Sequence, residues 1–196
     1  MRFVRDTIRK LKYTLKFLNK NRQVKLNYTV NSSNNSKLTE LMNFYGSDKG
    51  GKNNHHNYSE YYSELFFNRR KKVKNFLEIG LGTNNISMAS NMGKDGVPLA
   101  SLKAWRDYFE NANIYGADID TNILKNDTRI KTFFVDQTKP KIIKSMFKKI
   151  GVSEFDIILE DGLHEYGANI CFFENSIEFL SDEGIYIIED VYFKDK

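Results

Sequence analysis

The chain of 196 residues has one cysteine, Cys171, and only two prolines. A single thiol excludes an intramolecular disulfide framework and a cysteine-rich zinc site. A reducing, cytoplasmic setting is the simplest one for it. No apolar run approaches the roughly 20 residues that a bilayer span needs. The N-terminal segment carries charge every few residues, so it lacks the apolar core of a signal peptide. So little proline beside 12 glycines excludes collagen-like and proline-rich classes. No internal repeat is present. A hydrophobic fraction of 40% and an aromatic fraction of 14% supply a core and exclude wholesale disorder.

The net charge is +5, with 30 Lys and Arg against 25 Asp and Glu. That surplus is local. Residues 1–25 hold nine basic side chains and one acid, Asp6, and so carry +8, which leaves −3 for residues 26–196. A nucleic-acid surface on the rest of the chain therefore loses its main support, and no nucleic-acid partner is expected.

Within the basic segment, Val4, Ile8, Leu11, Leu15 and Leu18 recur at spacings of four and three. This predicts an amphipathic helix. Its apolar stripe has two readings: packing onto the domain or a second subunit of a homo-oligomer, which is preferred, or contact with an anionic membrane surface through residues 1–25. The polar run Asn31-Ser32-Ser33-Asn34-Asn35-Ser36 reads as a linker, so residues 1–36 are expected to stand apart from a domain over 37–196.

From residue 37 onward, short helices are predicted over 37–45 and 59–67, then strands and helices alternate. Strands are expected at 75–80, 113–118, 130–135, 155–159 and 185–188, with helices over 99–109, 142–150 and 168–180. Such alternation predicts an α/β fold with a mostly parallel sheet, and the nearly continuous apolar strands suit a sheet covered on both faces.

Ligands of open α/β sheets bind beyond the carboxyl ends of the strands. There the sequence places Glu78, Gly80 and Gly82, then Asp118 and Asp120, then Asp136 and Gln137, then Glu160, Asp161 and His164, and finally Glu189 and Asp190. So many carboxylates at one edge repel unless something cationic joins them. Gly80 and Gly82 allow close backbone approach to a ligand, but Asn85 stands where a dinucleotide fingerprint wants a third glycine. A dinucleotide oxidoreductase is therefore disfavoured. Asp118, at the end of the next strand, suits a ribose diol. Residues 84–98 read as an inserted loop or lid. Asp161, Glu189 and Asp190 offer hard oxygen ligands suited to Mg²⁺ or Mn²⁺ rather than zinc. His164, three residues after Asp161, is the candidate general base. The plain alternatives are helix capping for Asp161 and solvation for His164 taken alone. His55, His56, Lys49 and Lys52 read as a polar loop facing phosphate, sugar or solvent.

Phe76-Leu77-Glu78-Ile79-Gly80-Leu81-Gly82 resembles the first motif of the class I S-adenosylmethionine-dependent methyltransferases. Gly46-Ser47-Asp48-Lys49-Gly50 with His56, Tyr58 and Tyr62, then the stretches 101–109, 114–119, 136–137, 155–164 and 187–190, narrow the resemblance to metal-dependent sugar O-methyltransferases.

The resemblance implies a Rossmann-like fold with Glu78, Gly80, Gly82, Ser101, Trp105, Asp118, Asp136 and Gln137 around S-adenosyl-L-methionine. It implies Asp161, Glu189 and Asp190 as ligands of Mg²⁺ or Mn²⁺, with His164 and Asp161 catalytic. The implied activity is methyl transfer to a hydroxyl of a sugar or sugar nucleotide, destined for a capsule or secondary metabolite. The family's sheet has seven strands and this sequence stops just past the fifth. A C-terminal truncation is therefore expected, and a non-catalytic S-adenosylmethionine-binding module acting in an assembly is the alternative.

Overall fold

In a computed structural model the sheet has five parallel strands in the order β3-β2-β1-β4-β5. They are β1 (Asn75–Ile79), β2 (Asn113–Asp118), β3 (Ile130–Phe134), β4 (Phe155–Glu160) and β5 (Leu180–Ile188). The structure describes residues 36–52 and 56–191. The predicted basic helix, the linker up to Asn35 and His55 lie outside the described residues. Among the described residues no helix is long and apolar enough to cross a membrane.

Period-two alternation decides which side chain meets which layer. Phe76, Ile114, Ile157 and Leu159 belong to one apolar cluster, while Leu77, Ile79, Tyr115, Ala117 and Ile158 belong to the other. The first cluster is covered by α1 (Lys37–Tyr45), α2 (Tyr58–Phe66) and α3 (Ala100–Tyr108). These contribute Leu38, Met42, Tyr62, Phe66, Leu102 and Trp105. The second is covered by α4 (Pro140–Ile150) and α5 (Tyr166–Ser176), through Ile143, Met146, Phe147 and Phe172.

Local chemistry fixes the helix ends. The Ser36 hydroxyl accepts from the Thr39 amide at 3.1 Å, capping α1, and the Gly46 amide closes its other end on the Asn43 and Met42 carbonyls. Proline opens α4 at a position whose N–H has no helical acceptor.

Two expected elements shift most. The helix expected over 168–180 begins at Tyr166 and ends at Ser176, where a 3₁₀ turn, Ile177–Phe179, leads directly into β5. That strand starts at Leu180 rather than 185. Phe155 pairs with Leu180 but Ile157 with Ile185, so a register shift interrupts the ladder around Asp182-Glu183-Gly184. The break hides the early part of the strand from a pattern-based reading. The segment over 84–98 has no regular element, as expected of an insertion.

In the second cluster the Phe147 ring stacks on Phe179 with centroids 4.0 Å apart and meets Phe155 edge-on at 5.9 Å. Phe147→Ala is expected to lower unfolding stability by about 3–5 kcal/mol. Chemical denaturation should show this as an earlier midpoint with the slope unchanged.

Candidate active site

Strand order reverses between β1 and β4, which creates the crevice where α/β sheets bind ligands. A cavity of about 430 Å³ opens there, within the usual size range of small-molecule sites. Glu78, Gly82, Asp118, Asp136, Asp161 and His164 are among its lining residues.

The turn after β1 is constrained from both neighbouring strands. The Gly80 amide donates to the Ala117 carbonyl at 2.9 Å, and the Asp161 amide donates to the Ile79 carbonyl at 2.8 Å. Gly80 has φ +86°, and a Cβ there would stand 1.8 Å from the Asp161 carbonyl oxygen. Only glycine lets the two strand ends come this close. Asp118 then pins the turn: its Oδ2 accepts from the Leu81 amide at 2.6 Å and its Oδ1 from the Asp120 amide at 2.8 Å. Burial raises the Asp118 pKa, and these backbone donors pull it partly back.

Glu78 is fully buried under α3. Its Oε2 accepts from the Ser101 hydroxyl at 2.8 Å, while Oε1 has no partner. Burial pushes its pKa up to about 8, against the pull of Lys49. A buried acceptor left open beside a cavity suits an N–H or ammonium group of a ligand.

On the other side of β1, Asp161, His164 and Asp190 each present a ligating atom within 4.8 Å of the others. His164 Nε2 faces Asp161 Oδ1 at 3.6 Å, and its Nδ1 is buried without a partner. Burial lowers the His164 pKa, with Asp190 opposing, which favours the neutral, proton-accepting ring.

Glu189 is placed differently from Asp161 and Asp190. It is buried, its Oε1 accepts from the Tyr62 hydroxyl, and its Oε2 meets Lys49 Nζ at 2.7 Å. The Lys49 ammonium also pairs with Asp161. Lys49 is therefore no solvated loop residue: 3% exposed, it is the internal cation of the carboxylate cluster. Burial works against its charge, but Asp161 and Glu189 outweigh that and hold its pKa well above the usual lysine value. Burial raises the pKa of both acids in turn, and Lys49 opposes the rise. Tyr58 completes the group by donating to Asp190, and His56 stacks on Tyr58 with centroids 5.1 Å apart.

The remaining expected contacts divide. Gly80, Gly82, Ser101, Asp136 and Gln137 all line the cavity. Trp105 does not. It is wholly buried among Tyr62, Phe66, Phe76 and Phe109, one layer behind Ser101, because its position on α3 faces the sheet. The 84–98 segment forms a wall through Ser90, Asn91 and Met92, and the Ser90 hydroxyl donates to the Leu163 carbonyl at 3.0 Å. Sequence reasoning missed the structural part of Lys49. Its only signal was the tight Gly46-to-Gly50 turn, which does not reveal where the ammonium goes.

This is the Rossmann-like fold of class I methyltransferases. No family model matches the chain. It is 29% identical over 154 residues to 8-demethyl-8-alpha-L-rhamnosyl tetracenomycin-C 2'-O-methyltransferase of Streptomyces olivaceus, covering 79% of this chain and 37% of that protein. It is 27% identical to mycinamicin VI 2''-O-methyltransferase of Micromonospora griseorubida, over 79% of this chain and 36% of the relative. Among solved structures, the MycE methyltransferase of the mycinamycin biosynthetic pathway, in complex with Mg, SAH and mycinamycin VI, superposes with a TM-score of 0.65 and 26% identity. That match covers 79% of this chain and 39% of the other. The chain thus spans well under half the length of the relatives it matches.

Lys49→Met leaves the Asp161 and Glu189 carboxylates buried without their cation. A loss of about 3–5 kcal/mol in unfolding stability is expected. Thermal melts should show it as a large drop, partly recovered by millimolar Mg²⁺ or Mn²⁺.

Proposed function

We propose that this chain carries the core of an S-adenosylmethionine-dependent O-methyltransferase acting on a sugar hydroxyl with divalent-metal assistance. Residues 37–196 make up its methyltransferase domain, distinct from the basic segment before it. One observation carries the reading: a single cavity joins the glycine turn, with the open Glu78 Oε1 beside it, to the Asp161–His164–Asp190 cluster. The first suits a cofactor bearing an ammonium group and a ribose. The second, by its donor chemistry, suits a hard cation.

Glu78 would take the cofactor's amino group, the Gly80–Gly82 backbone its methionine part, Asp118 its ribose and Asp136 the adenine side. Bound there, S-adenosylmethionine supplies a methyl group on a sulfonium leaving group, and a divalent cation on Asp161 and Asp190 supplies Lewis acidity toward neighbouring substrate oxygens. The work of the chain's own residues is positioning and proton transfer. The Asp118 carboxylate fixes the turn that sets the cofactor's depth. Asp161 Oδ1 stands 3.6 Å from His164 Nε2, where its charge would favour the imidazolium once the proton has moved. His164, kept neutral by burial, takes the hydroxyl proton at Nε2. Glu189, held between Tyr62 and Lys49, supports Asp161 from behind through their shared ammonium.

The sugar class rests on the named relatives and on a cluster suited to a vicinal pair of oxygens. A nucleotide, a capsular polymer or a secondary metabolite as carrier of that sugar is for a substrate screen to separate.

Calorimetric titration with S-adenosylhomocysteine, with and without Mg²⁺, is the direct test; absence of binding overturns the reading. Asp161→Asn is expected to abolish metal-dependent turnover while leaving S-adenosylhomocysteine affinity within about twofold. His164→Ala should cut kcat by roughly 10²–10⁴-fold with metal still bound. Full activity in a chelator-treated sample would remove the metal from the reading.

A further inference from the structure

The resemblance implies that Gln137 reads the cofactor's adenine region, but the structure commits its side chain elsewhere. Gln137 follows β3 and is 8% exposed. Its Nε2 donates to Glu160 Oε1 at 2.9 Å, and its Oε1 accepts from the Leu163 amide at 2.8 Å. One amide thus ties the last residue of β4 to the residue just before His164. The intervening loop is Asp161-Gly162, and the side chain closes it as a clip.

Three further features show that the loop is built around this amide. A Cβ on Gly162 would lie 1.8 Å from Gln137 Oε1 and 2.9 Å from its Cδ, so glycine is what lets the amide lie against the loop. Glu160 is 1% exposed. Apart from Gln137, a side-chain donor within reach is Asn169 on α5, whose amide, oriented to donate, stands 3.2 Å from Glu160 Oε1 and 2.9 Å from the Glu165 carbonyl. Removing Gln137 would strip a buried carboxylate of its closest partner. Finally, His164 leaves the loop at φ +59°, a conformation that costs energy for any residue with a side chain and persists only where its surroundings impose it.

We propose that Gln137 is a positioning residue: with Glu160 and Gly162 it forms a clip that sets the backbone from Asp161 to His164 and so places the base and the carboxylate beside it. This rests on the methyltransferase reading for its catalytic consequence, but the clip itself does not.

The test combines two substitutions with readouts that separate these layers. Gly162→Ala in the wild-type background should lower the melting temperature and shift the His164 imidazole resonances in ¹H–¹⁵N NMR spectra. The chain has only three histidines, so those signals are readily assigned. In a Gln137→Ala background the same Gly162→Ala change should cost little, because the new methyl has room. Additive effects in this cycle would overturn the clip. Gln137→Glu, close to isosteric, keeps an acceptor for Leu163 but sets a carboxylate against Glu160. It serves as the second variant if Gln137→Ala folds poorly, and it too should move the His164 signals; unmoved signals count against the clip.

In turnover assays Gln137→Ala or Gln137→Glu should lower kcat on the order of 10- to 100-fold, with S-adenosylhomocysteine affinity held within about twofold. A weakened cofactor affinity with kcat intact would overturn the proposal and restore the adenine contact. If the wild-type chain binds no S-adenosylhomocysteine, the methyltransferase reading fails, while the stability cycle and the His164 spectrum still decide the clip.

Discussion

The rest of the site depends on one buried ammonium. The chain brings Glu160 and Asp161 to the end of β4 and Glu189 and Asp190 to the end of β5, and the two strands pair in parallel. Like charges packed this closely in a poorly solvated edge are unstable without a cation. Lys49 supplies it from the turn that follows α1. It reaches Asp161 and Glu189 only because α1 and α2 dock on the sheet through Leu38, Met42 and Phe66. The apolar packing of that layer and the electrostatics of the site are therefore one problem. The face of α2 states this in miniature. Residues at steps of four run from Tyr58, which donates to Asp190, through Tyr62, which donates to Glu189, to Phe66, which packs edge-on against Trp105. A single helical stripe passes from the cavity into the core.

Strand alternation sends the buried carboxylates of β1 and β4 to opposite faces of the sheet, each with a separate task. On β1, Glu78 shares the side of Phe76, under α3, and takes the Ser101 hydroxyl. On β4, Glu160 shares the side of Ile158, against α5, and takes the Gln137 amide. Each keeps one oxygen without a protein partner. They differ in access: Glu78 lines the cavity and Glu160 does not. The first is thus available to a ligand, and the second can act only through the protein that surrounds it.

The fold was largely legible in the sequence because its signals are local. Short, nearly continuous apolar runs marked β1 to β4, and Gly151 closes α4 by its own backbone chemistry. The parallel direction of the strands followed from their alternation with helices. The set of carboxylates was legible for the same reason, since strand ends share one edge in such a sheet. What stayed hidden depends on distance in sequence. Glu189 is a carboxylate beside Asp190 at the same strand end, yet it is held by Tyr62 and Lys49, more than a hundred residues earlier, and is not among the cavity-lining residues. Trp105 sits one helical turn from Ser101, and whether that turn faces ligand or core depends on the tilt of α3 against Phe76. Gln137 looked like a cavity residue because its position is one, while its amide is taken by groups 23 and 26 residues further on.

The backbone shows where this arrangement concentrates its strain. His164 and Asp190 both hold positive φ, at +59° and +49°, and both belong to the cluster with Asp161. Non-glycine residues reach that region at a cost, and a loop free to relax would leave it. Here relaxation is blocked from several directions. The Asp161 amide is tied to β1, the Leu163 amide to Gln137, the Leu163 carbonyl to Ser90, and the Glu189 amide to the Glu160 carbonyl at 2.9 Å. Gly80 and Gly162, the two positions where a Cβ would meet an oxygen at 1.8 Å, are what allow these ties to be this short. Such over-determination leaves the Asp161–His164–Asp190 group little room to reorganise around anything it binds. The consequence is a division of labour along the sheet edge. The glycine turn and the clipped loop supply rigidity, the lysine supplies charge balance, and the side chains left facing the cavity are free to meet a ligand.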